Sequence, residues 1–279
     1  MLLREVEYAR PASVDDAIRL LSEHPNARAL AGGQTLVNVM KARAAAPDIL
    51  VDLNRLDDLR SVGVTPDGGL ELGAMATYTQ LVGSPEVHST RPIVAEVASQ
   101  IADVQVRNRG TIGGNVCSAD PTNHFLPLMV ALDATMTIAG VDGQRTVPAE
   151  QFFLGVYFTA AGPGELLTRI TIPPARRGDG FAAVPIGADG TCIVNAAATL
   201  EEGGARIAIG CVAATPVRAT EMESVLSGAD VSDERISEAA RGLGASLDPP
   251  SDVHASADYR RHLAEVCAVR AVRHAAGRS

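Results

Sequence analysis

Tryptophan is absent, and Phe, Trp and Tyr together make up 3% of the 279 residues. So little ring surface excludes a base-stacking platform for nucleic acid. It also leaves a planar cofactor few ring partners from this chain. Excess basic charge is missing too: the net charge is −9, which argues against a phosphate backbone as the main partner. The four cysteines, Cys117, Cys192, Cys211 and Cys267, lie far apart and form no CxxC pair. That spacing points away from an iron–sulfur cluster or structural zinc held by this chain. The six histidines show no HExxH spacing, so no metal ligand is nominated. No Ser/His/Asp order or paired-carboxylate spacing stands out, so no catalytic residue is nominated either. A GxGxxG fingerprint is lacking, which disfavours a standard Rossmann site. No apolar run reaches membrane-span length, and the N-terminus carries no signal-peptide pattern. The expectation is a soluble, cytoplasmic protein.

What is present suits a buried core. Hydrophobic residues are 46% of the chain, charged residues 20%, and mean hydropathy is +0.11. Two or three compact units are expected, with no long disordered tract.

The N-terminal stretch reads strand, helix, strand, helix, strand. Residues 4–8 are a strand, and Ser13 with Asp16 resembles a capping box before Val14, Ala17, Ile18 and Leu21 at helical spacing. Arg28 to Ala31 and Ile49 to Leu53 are strands flanking a helix from about Gln34 to Arg43. This order fits a small parallel sheet. After Asn54 the pattern becomes α+β and mostly antiparallel. Ser61 to Val64 and Leu70 to Ala74 flank a Thr65–Gly69 turn, Pro92 to Ala102 and Phe125 to Leu132 are helical, and Thr135 to Ala139 and Leu166 to Ile172 are strands. Pro173 to Gly180 is the expected linker. Phe181 to Ile186, Thr191 to Leu200 and Ala205 to Val212 then read as three strands, followed by helices starting near Pro216, Ser232 and Ser256. The last helix is expected to turn Tyr259, Leu263, Val266 and Cys267 inward and Arg260, Arg261, Arg270 and Arg273 outward.

Two glycine pairs carry the chemical signal. Ala31-Gly32-Gly33-Gln34-Thr35 ends a strand and opens a helix, and Thr111-Ile112-Gly113-Gly114-Asn115 follows the run Arg107-Asn108-Arg109-Gly110. Glycine lets the main chain approach a ligand and point successive N–H groups at it. A helix N-terminus adds partial positive charge. Two such loops are suited to grip the two phosphates of one dinucleotide from opposite sides.

The segment Arg107 to Asn115, followed by Ala119-Asp120-Pro121, resembles the FAD-binding medium subunit of molybdenum hydroxylases, the carbon monoxide dehydrogenase flavoprotein and xanthine dehydrogenase family. Ala31 to Leu36 with Met40-Lys41 is similar to that family's other flavin loop. Gly164 to Thr168 with Ile172-Pro173, Thr215 to Ala219, and Tyr259 to Leu263 extend the resemblance nearly end to end. It implies an α+β fold: a two-part FAD-binding module of the vanillyl-alcohol-oxidase (PCMH) type, residues 1–57 and 58–174, then a C-terminal three-stranded sheet with a helical bundle, 175–279. It implies FAD as cofactor, and as partners a large molybdopterin subunit and a small [2Fe–2S] subunit in a dimer of heterotrimers. The chain would pass electrons from those clusters to an external acceptor.

The resemblance also assigns cofactor-binding positions: Leu30, Ala31, Gly32, Gly33, Gln34, Thr35 and Leu36 on one loop, and Thr111, Ile112, Gly113, Gly114 and Asn115 on the other. Ile101 stands where the family packs the adenine, and Leu167 where it packs near the flavin ring. His124 stands where Asp is common, Thr191 where many members place an aromatic over the flavin, and Ala183 where many carry Lys. These departures leave the phosphate grip intact and make the ring pocket unusual. A non-redox nucleotide-binding or assembly subunit with a decayed flavin site is the alternative, and a self-contained flavin oxidase or reductase ranks last.

Overall fold

The computed structural model describes residues 3–187, 191–228 and 231–278. Three short strands, β1 (Glu7–Ala9), β2 (Ala27–Leu30) and β3 (Ile49–Asp52), form a parallel sheet in the order β1-β3-β2. β3 is buried along its whole length because it is the central strand and both faces are covered. The helix Val14–Glu23 is started by Ser13, whose hydroxyl accepts from the Asp16 N–H at 3.1 Å, and turns Ala17, Ile18 and Leu21 onto the sheet.

The central part is a five-stranded antiparallel sheet, β4 (Val62–Val64), β5 (Leu70–Gly73), β6 (Thr135–Gly140), β7 (Gly143–Pro148) and β10 (Leu166–Ile172), in the order β4-β5-β10-β6-β7. A small hairpin, β8 (Phe153–Gly155) with β9 (Phe158–Thr159), lies beside it. The helix Phe125–Ala131 is buried on every side. It is sandwiched between the central part and the strands that follow, which explains why its sequence is apolar all round.

The C-terminal sheet corrects the expected three strands. β11 (Gly178–Pro185), β12 (Cys192–Glu201) and β13 (Gly204–Gly210) are joined by a fourth, β14 (Val217–Arg218), which pairs with Ala208 and Ile209. The helix expected near Pro216 therefore begins only at Thr220. A two-residue edge strand has no periodicity to detect, and its tertiary pairing overrides the local signal. The long helix Ala257–Ala275 crosses β11 and β12. It sits close because β11 carries Gly178 and Gly180 where a Cβ would overlap the carbonyls of Ala275 and Ala271.

On that helix two expected orientations are reversed: Tyr259 is exposed and Arg260 is buried. The Arg260 guanidinium donates to the carbonyls of Ile193 (2.5 Å) and Cys211 (3.4 Å) and to Asp252 (2.6 Å). It satisfies main-chain oxygens at strand ends, a need that helical spacing cannot show. The stretch read as a linker is also pinned. Buried Arg91 pairs with buried Asp179 at 2.5 Å and donates to the carbonyls of Pro173 and Pro174. Among the described residues no helix is long and apolar enough to cross a membrane.

Candidate cofactor site

The first glycine loop leaves the C-terminal end of β2, where a parallel strand hands over to a helix. Gly33 has φ +74°, a conformation that disfavours any other residue. Among the described residues no protein acceptor takes the N–H of Gly32, Gly33, Gln34 or Thr35. Their carbonyl sides, by contrast, are held: Ala31 O by the Asn54 side-chain amide (3.0 Å), Gly32 O by that of Gln34 (3.1 Å), Gly33 O by the Val37 N–H (3.2 Å) and Gln34 O by the Asn38 amide (2.8 Å). Leu30 and Leu36 flank the loop, each half-buried.

The second loop is bonded differently. Thr111 caps the helix Ile112–Ser118, its hydroxyl accepting from the Gly114 N–H at 3.1 Å. The Ile112 N–H donates to Ala76 O (3.0 Å) and the Gly113 N–H to Ala74 O (2.9 Å). The expectation of successive ligand-facing N–H groups on both loops is thus corrected: on the second loop those of Ile112, Gly113 and Gly114 are engaged inside the protein. Gly113 is glycine because a Cβ would sit 2.5 Å from the Ala74 carbonyl oxygen. What this loop leaves uncommitted is side-chain chemistry. Thr111 retains its hydroxyl proton, and the buried Oδ1 of Asn115 has no hydrogen-bond partner. Burial pushes the pKa of the neighbouring Tyr78 hydroxyl up to about 12, and the Asn115 side chain acts against that rise.

The two loops meet. A Cβ on Gly32 would overlap the Arg109 carbonyl oxygen and lie 2.9 Å from Gly110 Cα. Gly114 faces Ala31 across the junction, with 3.8 Å between a Cβ there and the Ala31 Cβ.

Ile101 and Leu167 are buried in the central core, which accounts for their apolar character. Thr191 is half-buried just before β12, and Ala183, also half-buried, pairs with Asn195. His124 precedes the helix Phe125–Ala131 and is 2% exposed. Its ring lies 3.4 Å from Cys192 Sγ through Nδ1, with ring centroids 5.2 Å from Phe181. The influence of the Cys211 thiol and of His124 outweighs burial and brings the Cys192 thiol pKa down to about 6, while that of Cys211 is pushed up. Sequence reading missed Asn54, Asn38, Tyr78 and Cys192. Only Asn54 left a trace, standing just beyond the strand that borders the first loop.

Backbone donors on one side and an orphaned buried amide oxygen on the other fit a ligand that carries both phosphate and hydroxyl groups. Residues 4–175 match the family of the FAD-binding domain in molybdopterin dehydrogenase, and residues 176–275 match the CO dehydrogenase flavoprotein C-terminal domain. The chain belongs to this family. FAD is accordingly its cofactor, and the chain is a component of an oxidoreductase. It is similar to the carbon monoxide dehydrogenase medium chain of Afipia carboxidovorans, 38% identical over 100% of this chain and 99% of the relative. The nicotine 6-hydroxylase medium subunit of Paenarthrobacter nicotinovorans is 32% identical over the full length of both. Quinoline 2-oxidoreductase from Pseudomonas putida 86 superposes with a TM-score of 0.94, at 34% identity over 99% of each chain.

Proposed function

We propose that this chain is the electron-transferring flavoprotein subunit of a molybdenum hydroxylase. It takes electrons from [2Fe–2S] clusters on a small partner subunit, which are fed by a large molybdopterin subunit, and passes them to an external acceptor. The observation that carries this reading is the row of four uncommitted N–H groups at Gly32 to Thr35, opposite the Thr111 hydroxyl and the orphaned Asn115 Oδ1. Bound FAD supplies the redox chemistry; the protein supplies position and electrostatics. The first loop would hold phosphate through main-chain N–H groups. Thr111 would donate to it from the other side, and Asn115 Oδ1 would accept a hydroxyl proton from the cofactor. His124, Cys192 and Thr191 would border the ring end.

The same reading takes residues 1–57 and 58–174 as the two parts of a PCMH-type module and 175–279 as the flavoprotein C-terminal domain, within a dimer of heterotrimers in the cytoplasm. A decayed flavin site is disfavoured, because decay leaves no reason to keep unpaired donors and a glycine at φ +74°. The test is flavin released on denaturation, followed by the flavin spectrum of the whole complex. Near-stoichiometric FAD, with flavin bands that bleach when the complex receives substrate and stay unchanged in the isolated chain, is expected. A complex whose flavin does not bleach contradicts electron transfer.

A further inference from the structure

We propose that the side-chain amides of Asn54, Gln34 and Asn38 are positioning residues that aim the N–H groups of the first loop, an inference that rests on the FAD reading. A peptide group is planar, with its C=O and N–H at opposite edges. Fixing the carbonyl therefore fixes the direction of the N–H in the same plane. Asn54 holds Ala31 O at 3.0 Å and so aims the Gly32 N–H. Gln34 holds Gly32 O at 3.1 Å and aims the Gly33 N–H. Val37 N–H holds Gly33 O at 3.2 Å and aims the Gln34 N–H. Asn38 holds Gln34 O at 2.8 Å and aims the Thr35 N–H. Each of the four planes is tied from behind, three of them by a side-chain amide.

The tie at Ala31 is itself supported. Asp52, 4% exposed, accepts from the Asn54 N–H at 2.9 Å and from its side-chain amide at 2.6 Å. This leaves the other amide hydrogen for Ala31 O. Arg60 donates to Asn54 O (3.2 Å) and Oδ1 (3.3 Å), so every polar group of that side chain is used. The Tyr8 hydroxyl and Arg10, at 3.4 Å, hold the far side of the Asp52 carboxylate. Glycine-rich backbone would otherwise sample many orientations, and ordering it on binding would weaken affinity.

Asn38 is exposed and Gln34 half-buried, so Asn38→Ala and Gln34→Ala remove a clamp without opening the core. Purified chain stripped of flavin is titrated with FAD, and the pyrophosphate of bound FAD is observed by phosphorus NMR. Each variant is expected to raise the FAD dissociation constant about tenfold, the size of one aligned hydrogen bond. Phosphorus resonances should shift while the melting temperature of the flavin-free chain stays the same. Asn54→Ala should act in the same direction; if it fails to fold, the Asn38 and Gln34 variants carry the test. Wild-type affinity and unshifted resonances in both variants would overturn the clamp and leave the FAD reading standing. A wild-type chain that takes up no FAD would overturn both.

Discussion

The two glycine loops look alike in sequence and do opposite things with their backbones. In Gly32–Thr35 the carbonyls are tied and the N–H groups are left over. In Ile112–Gly114 the N–H groups are tied to Ala76, Ala74 and the Thr111 hydroxyl. Gly32 is there so that the two loops can touch at Arg109 and Gly110; Gly113 is there so that the chain can lie on Ala74. A Gly-Gly pair therefore signals close approach, and only the hydrogen bonding says what is approached.

The contrast is broken most forcefully at Gly113. In Gly113→Ala the new methyl meets backbone at 2.5 Å, which cannot move away cheaply. Destabilisation of about 3 kcal/mol is expected in thermal or denaturant unfolding, as for other overpacked sites. Flavin should be lost only as the fold is lost. Wild-type stability in this variant would mean that the second loop is not seated as described.

Gly114 separates the two roles. Its neighbours are the Thr111 hydroxyl at 2.9 Å and Ala31 across the junction. Gly114→Val should leave far-ultraviolet circular dichroism intact and lower FAD affinity on the order of a hundredfold, roughly 2.7 kcal/mol. Full FAD occupancy would remove Gly114 from the site.

Thr111→Val removes the cap and the donor hydroxyl together. About 1 kcal/mol of stability should go with the cap, and FAD affinity should fall severalfold. An affinity loss without a stability loss would show that the capping bond contributes little.

The smallest effect is a pH dependence confined to the first loop. Burial acts to raise the Asp52 pKa, but hydrogen bonds from Tyr8 and Asn54 outweigh it and hold the carboxyl below 3.8. A depressed carboxylate stabilises the fold above its unfolded pKa, and that contribution is lost as pH falls through the lower folded value. Flavin release, followed by fluorescence, should therefore begin as pH falls below about 4 and should act through the first loop alone, because the ties of the second loop involve no titratable group. In Asp52→Asn this acid-dependent component should disappear.

Much of the architecture was legible in order and period. The parallel N-terminal unit and the antiparallel centre follow from alternating strand and helix patterns, and both loops stood out by their glycines. What the chain order hid were pairings across space. His124 meets Cys192 from 68 positions away, and Asn54 reaches Ala31 across 23. Arg260 turned inward because carbonyls at Ile193 and Cys211 needed a donor, while Tyr259 found no such demand. β14 was too short to carry a pattern. The division of labour between the loops was out of reach for the same reason: it depends on Ala74 and Ala76, residues with no mark of their own.

Amide hydrogen exchange at residue resolution, with and without FAD, tests the central contrast most directly. The N–H groups of Gly32, Gly33, Gln34 and Thr35 should exchange fast in the flavin-free chain and become protected when FAD binds. Those of Ile112, Gly113 and Gly114 should be slow in both states. Unchanged exchange at 32–35, with new protection appearing at 112–114, would contradict the account.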